Sequence, residues 1–253
     1  MELTAKQVAL MAAFAALYYV LSIITPYVPA IAVPEVKISL EALTASLFGL
    51  ILGPYLGGLT AFLGAFVAWS LPPGSMSVYG MPFLLAPPLN ALVTGFIYYK
   101  KWKVAFAILG VLIAAFLFLP PAQPFAENYP VAVAVLWDKV IALFLILPCV
   151  KFAKNLSLPK TLPILYFLMA FIGNQSDNMW GSDVFAVPAV YEGIFGYPLE
   201  VVRFAFLVSP FVYPAIRLVQ ALIATIIAVP LMNSLKDLNL LFSKDTIETK
   251  AST

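Results

Sequence analysis

Residues 48–58 read Phe48-Gly49-Leu50-Ile51-Leu52-Gly53-Pro54-Tyr55-Leu56-Gly57-Gly58, an apolar run punctuated only by glycines, one proline and one tyrosine. A glycine that ends one helix and a proline that opens the next leave no room for a loop. The stretch therefore predicts two helices, over 39–53 and 55–71, folded back on each other as an antiparallel hairpin. Gly57, Gly58 and Gly64, with Ala61, Ala65 and Ala68, keep the second arm narrow. Narrow surfaces let helices approach closely in lipid.

The rest of the chain places this hairpin in a membrane. Of 253 residues, 63% are hydrophobic and 10% charged, and the mean hydropathy is +0.99. Soluble domains run near about 45–50% apolar and about 25% charged, so a soluble fold is excluded: this much apolar surface has no core large enough to enter. A spanning helix needs about 20 mostly apolar residues, with shorter ones tolerated where protein packs around them. Eight segments qualify, at roughly 4–25, 39–53, 55–71, 82–99, 104–119, 131–150, 161–180 and 204–232. The first is too long for a cleavable signal and lacks a small-residue cleavage site. The stretch 184–195 is apolar but broken by Pro188 and Gly193, which reads as an external re-entrant or interfacial segment. The expected fold is all-α: a polytopic membrane helix bundle of six to eight transmembrane helices, one domain over 1–235 with a short cytoplasmic tail at 236–253.

Basic residues set the orientation. Lys6, Lys100, Lys101, Lys103, Lys151, Lys154, Lys160, Lys236, Lys244 and Lys250 all fall on one side if the N-terminus is inside and the span count is even. Both termini are then cytoplasmic, and so is the tip of the hairpin. The opposite loops hold the mostly acidic set Glu35, Lys37, Glu127, Asp183, Glu192, Glu200 and Arg203.

Several chemistries are excluded outright. Net charge is +2 and there is no histidine, so neither a nucleic-acid footprint nor a histidine-dependent catalytic site is available. The lone cysteine, Cys149, lies in an apolar run and reads as a small hydrophobe. No GxxxxGK[ST] motif is present, so ATP hydrolysis must come from another chain.

The polar groups inside the spans therefore need individual accounts. They are Glu41 at the head of the second span, Asn90 in the fourth, Asp138 and Lys139 in the sixth, Asn174, Gln175, Asp177 and Asn178 ending the seventh, and Arg217 with Gln220 in the eighth. An ionised side chain at bilayer depth costs about 2.5–3.5 kcal/mol on insertion scales, so each is expected to be paired or to face water. Neighbours on a helix point about 100° apart, so at least one of Asp138 and Lys139 is expected to find its partner on another helix. All these groups fall in the outer half of the expected membrane, which predicts a pocket open to the outside. The competing reading is a buried ion-pair network that only fixes helix register. Lys139 or Arg217 would suit a carboxylate or phosphate on a ligand. Trp69, Tyr79, Trp137, Trp180, Tyr191 and Tyr213 either stack on a planar ligand or form the interfacial aromatic belt. Pro87-Pro88 inside the fourth span, with Pro210 and Pro214 around the start of the eighth, predict kinks whose freed carbonyls line a cavity. Asn174-Gln175-Ser176 is formally a glycosylation sequon.

These features resemble the substrate-binding S-components of energy-coupling-factor (ECF) vitamin transporters. The resemblance rests on Glu35-Val36-Lys37-Ile38-Ser39-Leu40, on the run ending in Gly53-Pro54 and continuing through Gly57-Gly58 to Gly64, and on a first helix with Ala5, Ala9 and Ala13 at i, i+4, i+8. It covers about residues 1–100 and the end of the chain; the family's usual core has six helices against the eight counted here. It implies a vitamin or related small molecule captured at the outer face and no cofactor. It further implies a T-type transmembrane subunit docking on the small-residue surface of Ala5, Ala9, Ala13, Gly57 and Gly64, and two cytoplasmic ATPase subunits driving release. In that reading Glu35, Lys37, Glu41, Asn90, Trp137, Asp138, Lys139, Asn174, Asp177 and Arg217 bind substrate. The alternatives are a proton-coupled secondary transporter using Asp138 or Asp177, and an accessory subunit of a larger membrane complex. An intramembrane enzyme ranks below both.

Overall fold

The structure, a computed structural model, describes residues 4–24, 27–30, 33–39, 41, 43–153 and 161–237 of the chain. The expected basic residues Lys154, Lys160, Lys244 and Lys250 lie outside the described residues, as does most of the tail. Helix α1 (Ala5–Ile24) is followed by a two-stranded hairpin, β1 (Tyr27–Ala30) and β2 (Val33–Ser39). The strands pair antiparallel with Tyr27 opposite Ser39 and Pro29 opposite Lys37. This hairpin is the one departure from an all-helical bundle among the described residues. It contains the backbones of Glu35 and Lys37, whose side chains lie outside the described residues.

Helix α2 (Leu43–Ser70) is two arms rather than one rod. Gly53 at φ 79°, ψ 175° breaks it, a conformation only glycine adopts freely, and Pro54 begins the second arm. The arms fold back so tightly that a β-carbon at Gly57 would stand 2.9 Å from Cα of Gly49. The predicted hairpin is thus present. Helix α3 (Ala86–Tyr98) packs against its tip, where a β-carbon at Gly95 would lie 2.7 Å from Cα of Pro54. Lys101 stands over the Tyr55 ring at 5.8 Å. The hairpin tip and the Lys100–Lys103 cluster therefore share one end of the bundle.

Helices α4 (Trp102–Phe116), α5 (Phe125–Ala153), α6 (Leu162–Phe185), α7 (Pro188–Tyr191), α8 (Leu199–Val208) and α9 (Val212–Asp237) complete the order. Among the described residues, five stretches are long and apolar enough to cross a membrane by length and composition: α1, α2, Met81–Tyr98, Phe125–Phe152 and Val212–Leu235. The shorter α4 is apolar too. Helix α6, at 24 residues, spans about 36 Å at 1.5 Å per residue but carries the polar run. The five candidate spans among the described residues make a polytopic helical membrane bundle, fewer than the eight segments expected.

Several boundaries differ from expectation. The eighth segment does not begin at 204: Ser209 leaves the helical region (φ −121°, ψ 26°), so α8 ends at Val208 and α9 begins anew at Val212. Pro210 lies between these helices and Pro214 in the first turn of α9. Pro87 and Pro88 open α3 rather than kinking it. A proline in a first turn costs no hydrogen bond, because that N–H has no intrahelical partner anyway. These prolines start and stop helices instead of freeing interior carbonyls. The segment 184–195 holds only the one-turn α7, and its first two residues belong to α6.

Candidate functional site

Asn174, Gln175, Asp177 and Asn178 form one polar stretch of α6, with Asp183 a turn and a half further on. All are at most 8% exposed. They stay helical because the flanking turns are apolar and well packed: Met169 and Ile172 below them and Met179 above are fully buried. Asn174 and Asp177 reach side chains on two different neighbouring helices.

Toward α3, Asn90 Nδ2 donates to Asn174 Oδ1 at 2.7 Å, and Thr94 Oγ1 reaches both Asn90 Oδ1 (3.2 Å) and the Met169 carbonyl (3.3 Å). This contact depends on Gly173, where a β-carbon would overlap Thr94 Oγ1 and Asn90 Oδ1. Toward α9, Arg217 Nη2 donates to Asp177 Oδ1 at 2.8 Å while Nη1 donates to Gln220 Oε1 at 2.8 Å. Arg217 is five residues into α9, about 8 Å from its start, and Asp177 is eight residues from the end of α6, about 12 Å. Toward α5, Asp183 and Arg217 are both in electrostatic range of Lys139. The cluster therefore occupies the end of the bundle opposite Lys100 and Lys101.

Lys139 does not need a partner on another helix. Its Nζ lies 2.9 Å from Asp138 Oδ1 and 3.2 Å from Oδ2. The two Cβ atoms diverge by about 100°, but the four-carbon lysine stem is long enough to fold back. The expectation that at least one of Asp138 and Lys139 finds its partner on another helix is thus corrected. The ionised groups form two separate pairs, one within α5 and one between α6 and α9.

The remaining expected site residues are more dispersed. Glu41 is half-buried just before α2, where its carbonyl accepts from the Thr44 N–H and hydroxyl, and it shares electrostatic range of Tyr18 with Asp177 and Arg217. Trp137 is not in the cluster: its indole N–H donates to the Pro210 carbonyl at 2.9 Å and its ring packs on Phe211. It lines an apolar groove of about 480 Å³ with Tyr129, Val133 and Phe211. Trp69 and Trp180 likewise donate to loop carbonyls, of Ser77 and Pro82. Gly57 and Gly64 face inward, Gly64 against Tyr18 and Ala15, so their small size serves packing within the chain rather than a docking surface. Ala5, Ala9 and Ala13 are exposed. The sequon is buried at the centre of a helix, with Ser176 Oγ donating to the Gly173 carbonyl.

Sequence reasoning missed Asp183, assigned to an outer loop, and Tyr18, an aromatic in an apolar helix. It noted Gln175 and Asn178 without choosing them. Their common signal is hydrogen-bonding capacity left over. Among the described residues, Gln175 Nε2 and Oε1, Asn174 Nδ2, Asn178 Nδ2, Asp177 Oδ2, Arg217 Nε and both carboxylate oxygens of Asp183 have no protein partner. Unmet buried groups normally cost about 1–3 kcal/mol each, so this concentration sets the stretch apart from the apolar packing around it. Above it, Phe195 packs against Phe185 (5.5 Å) and Tyr79 (5.1 Å), with Tyr191 buried beside them.

Residues 2–120 match the family model described as ECF-type riboflavin transporter, S component. No curated protein and no solved structure matches the chain. The matched region contains α1, the strand hairpin and the Gly53-Pro54 turn, the elements that carry the resemblance, and also Asn90. Over these residues, somewhat less than half of its length, the chain is similar to the S components of energy-coupling-factor transporters.

Proposed function

We propose that this chain captures a vitamin-like small molecule of the riboflavin class at the outer face of the cell membrane. Cargo is then released inside by an ATP-driven complex with a T-type transmembrane subunit and two cytoplasmic ATPases. The observation that carries the reading is the set of unpartnered, buried hydrogen-bonding atoms on α6 and Arg217, in a bundle filled mostly with apolar side chains. Asn90, Asn174, Asp177 and Arg217 form the core of the proposed site, with Asp138 and Lys139 bordering it and Glu41 beside Tyr18. The Glu35–Lys37 hairpin is assigned to the same face because it joins the outer end of α1 to the outer end of α2. Trp137, turned to the groove, is left out of the first contacts. In this reading ATP hydrolysis is supplied by the partner ATPases, since no nucleotide-binding motif lies in these 253 residues, and the exposed alanines of α1 supply the docking face. The test is binding of riboflavin to the purified full chain by fluorescence quenching, together with co-purification when T-type and ATPase subunits are co-expressed. Saturable binding that Arg217→Ala abolishes is the expected result. No binding, no ligand carried through purification and no partner retained would sink the proposal.

A further inference from the structure

Helix α8 has 10 residues, about 15 Å at 1.5 Å per residue, where a span needs about 20 residues. It lies against the ends of its neighbours. Phe206 meets Phe116, the last residue of α4, at 5.5 Å between ring centroids, and Phe185, the last residue of α6, at 6.1 Å. Arg203 donates through Nε to the Pro121 carbonyl at 3.3 Å and through Nη2 to the Pro120 carbonyl at 3.2 Å, both in the turn between α4 and α5. Helix α4 starts at Trp102, next to Lys100 and Lys101, so its end at Phe116 belongs to the opposite, outer end of the bundle. The two faces of α8 differ. Val202 and Ala205 are buried, whereas Phe204 is 57% and Leu207 43% exposed, and the stripe continues to Phe211 at 72%. Glu200, in the first turn, is exposed too. Phe211 also lines the groove with Tyr129, Val133 and Trp137 of α5, a helix long and apolar enough to cross the membrane.

We infer that α8 is an interfacial helix of the outer leaflet, with Phe204, Leu207 and Phe211 set among lipid acyl chains and Glu200 in the headgroup layer. Lipid is the occupant because the stripe runs without interruption into the groove on α5, whose outward side faces acyl chains wherever that helix spans. A short helix with one apolar face and a charged end settles about 5–10 Å into the headgroup boundary. Standing in water, the same stripe would leave three large apolar side chains side by side, a patch that soluble surfaces avoid. Arg203 ties the helix to the α4–α5 turn, so lipid contact on one face of α8 is transmitted to the outer ends of α4, α5 and α6. The break at Ser209 follows from this arrangement: the apolar run from 204 onward serves two elements, one along the membrane surface and one across it. The assignment needs no ligand and holds or fails independently of the capture site proposed above.

The test uses the full chain with Cys149→Ala as background, in vesicles of phosphatidylcholine and phosphatidylglycerol. Glu200→Cys, Phe204→Cys and Leu207→Cys each carry a nitroxide label, one per protein. Relaxation of the label by oxygen, which concentrates among acyl chains, is compared with relaxation by a water-soluble nickel chelate. Oxygen is expected to outrun the chelate several-fold at positions 204 and 207, and the order is expected to reverse at position 200. Chelate access at 204 and 207 equal to that at 200 overturns the inference, because the stripe then stands in water. Low access of both reagents at 204 and 207 overturns it as well, because protein (a second copy or another chain) then covers the stripe. Phe204→Trp in the otherwise natural chain repeats the test without a label. Lipids brominated along their acyl chains are expected to quench the emission it adds over wild type, and unquenched emission overturns the placement.

Discussion

The α2–α3 region and the α6 cluster are both buried and tightly packed, yet they are built from opposite materials. In the first, backbones meet directly: a β-carbon at Gly49 would overlap the Ala91 carbonyl and stand 3.0 Å from the Gly95 nitrogen. Backbone hydrogen bonds close within the helices, and dispersion between close-packed chains does the rest. In the second, side chains meet across wider gaps and several finish without partners. The difference separates a region optimised for rigidity from one that retains unmet interactions. Stability and ligand recognition are therefore expected to respond to mutation in different places.

The largest expected effect is on the rigid side. Gly49→Val places new atoms against backbone on a neighbouring element, where no rotamer change offers relief. Overpacking costs typically about 1–3 kcal/mol when side chains can adjust, and more is expected here. Yield of folded protein from membranes and thermal unfolding in detergent check this. Gly110 on α4, with no atom within 4 Å of its would-be β-carbon, is the control: Gly110→Ala should be neutral or slightly stabilising. Equal losses at both positions would remove the distinction between the regions.

A smaller but more informative effect is expected on the polar side. Arg217→Ala strips Asp177 of its partner, and an uncompensated buried charge costs about 3–5 kcal/mol. The double substitution Asp177→Asn with Arg217→Gln removes both charges and should recover much of that stability. If the pair serves only to fix helix register, the double variant also recovers ligand binding. If the pair belongs to the recognition surface, the fold returns and binding does not. Thermal unfolding and ligand titration on the three proteins decide between them.

The two regions also differed in how far they could be read from the sequence. The hairpin was legible because its determinants are local: Gly53 ends one helix and Pro54 opens the next, whatever packs around them. The set of buried ionisable residues was legible too, since charges in apolar runs are conspicuous. Their pairing was not. Asp138 and Lys139 satisfy each other through side-chain length, which a helical wheel ignores, and Arg217 selects Asp177, forty positions away in sequence. Asp183 was misplaced because the polar run lowers the hydropathy of α6 and hides that the helix continues to Phe185. Small residues carry the same ambiguity. Gly64 and Ala9 look alike in a pattern, but Gly64 is buried against Tyr18 while Ala9 faces outward.

That last contrast supplies the smallest expected effect on stability and the sharpest on assembly. Ala9 is exposed on α1, whose spanning window is only 11% buried, so Ala9→Leu adds a lipid-facing side chain and should change stability by no more than about 0.5 kcal/mol. A partner helix seated on the Ala5–Ala9–Ala13 face, however, would be held off by the added bulk, because close approach in lipid depends on small side chains. Capture of a co-expressed T-type subunit should therefore fall sharply for Ala9→Leu while riboflavin binding by the isolated chain is retained. Phe144→Leu, at a 60% exposed position on α5, should leave both unchanged. If Ala9→Leu retains the partner as well as wild type does, the alanine face is only lipid-exposed surface. Docking must then be sought on another flank, since Gly57 and Gly64 are already committed to the interior.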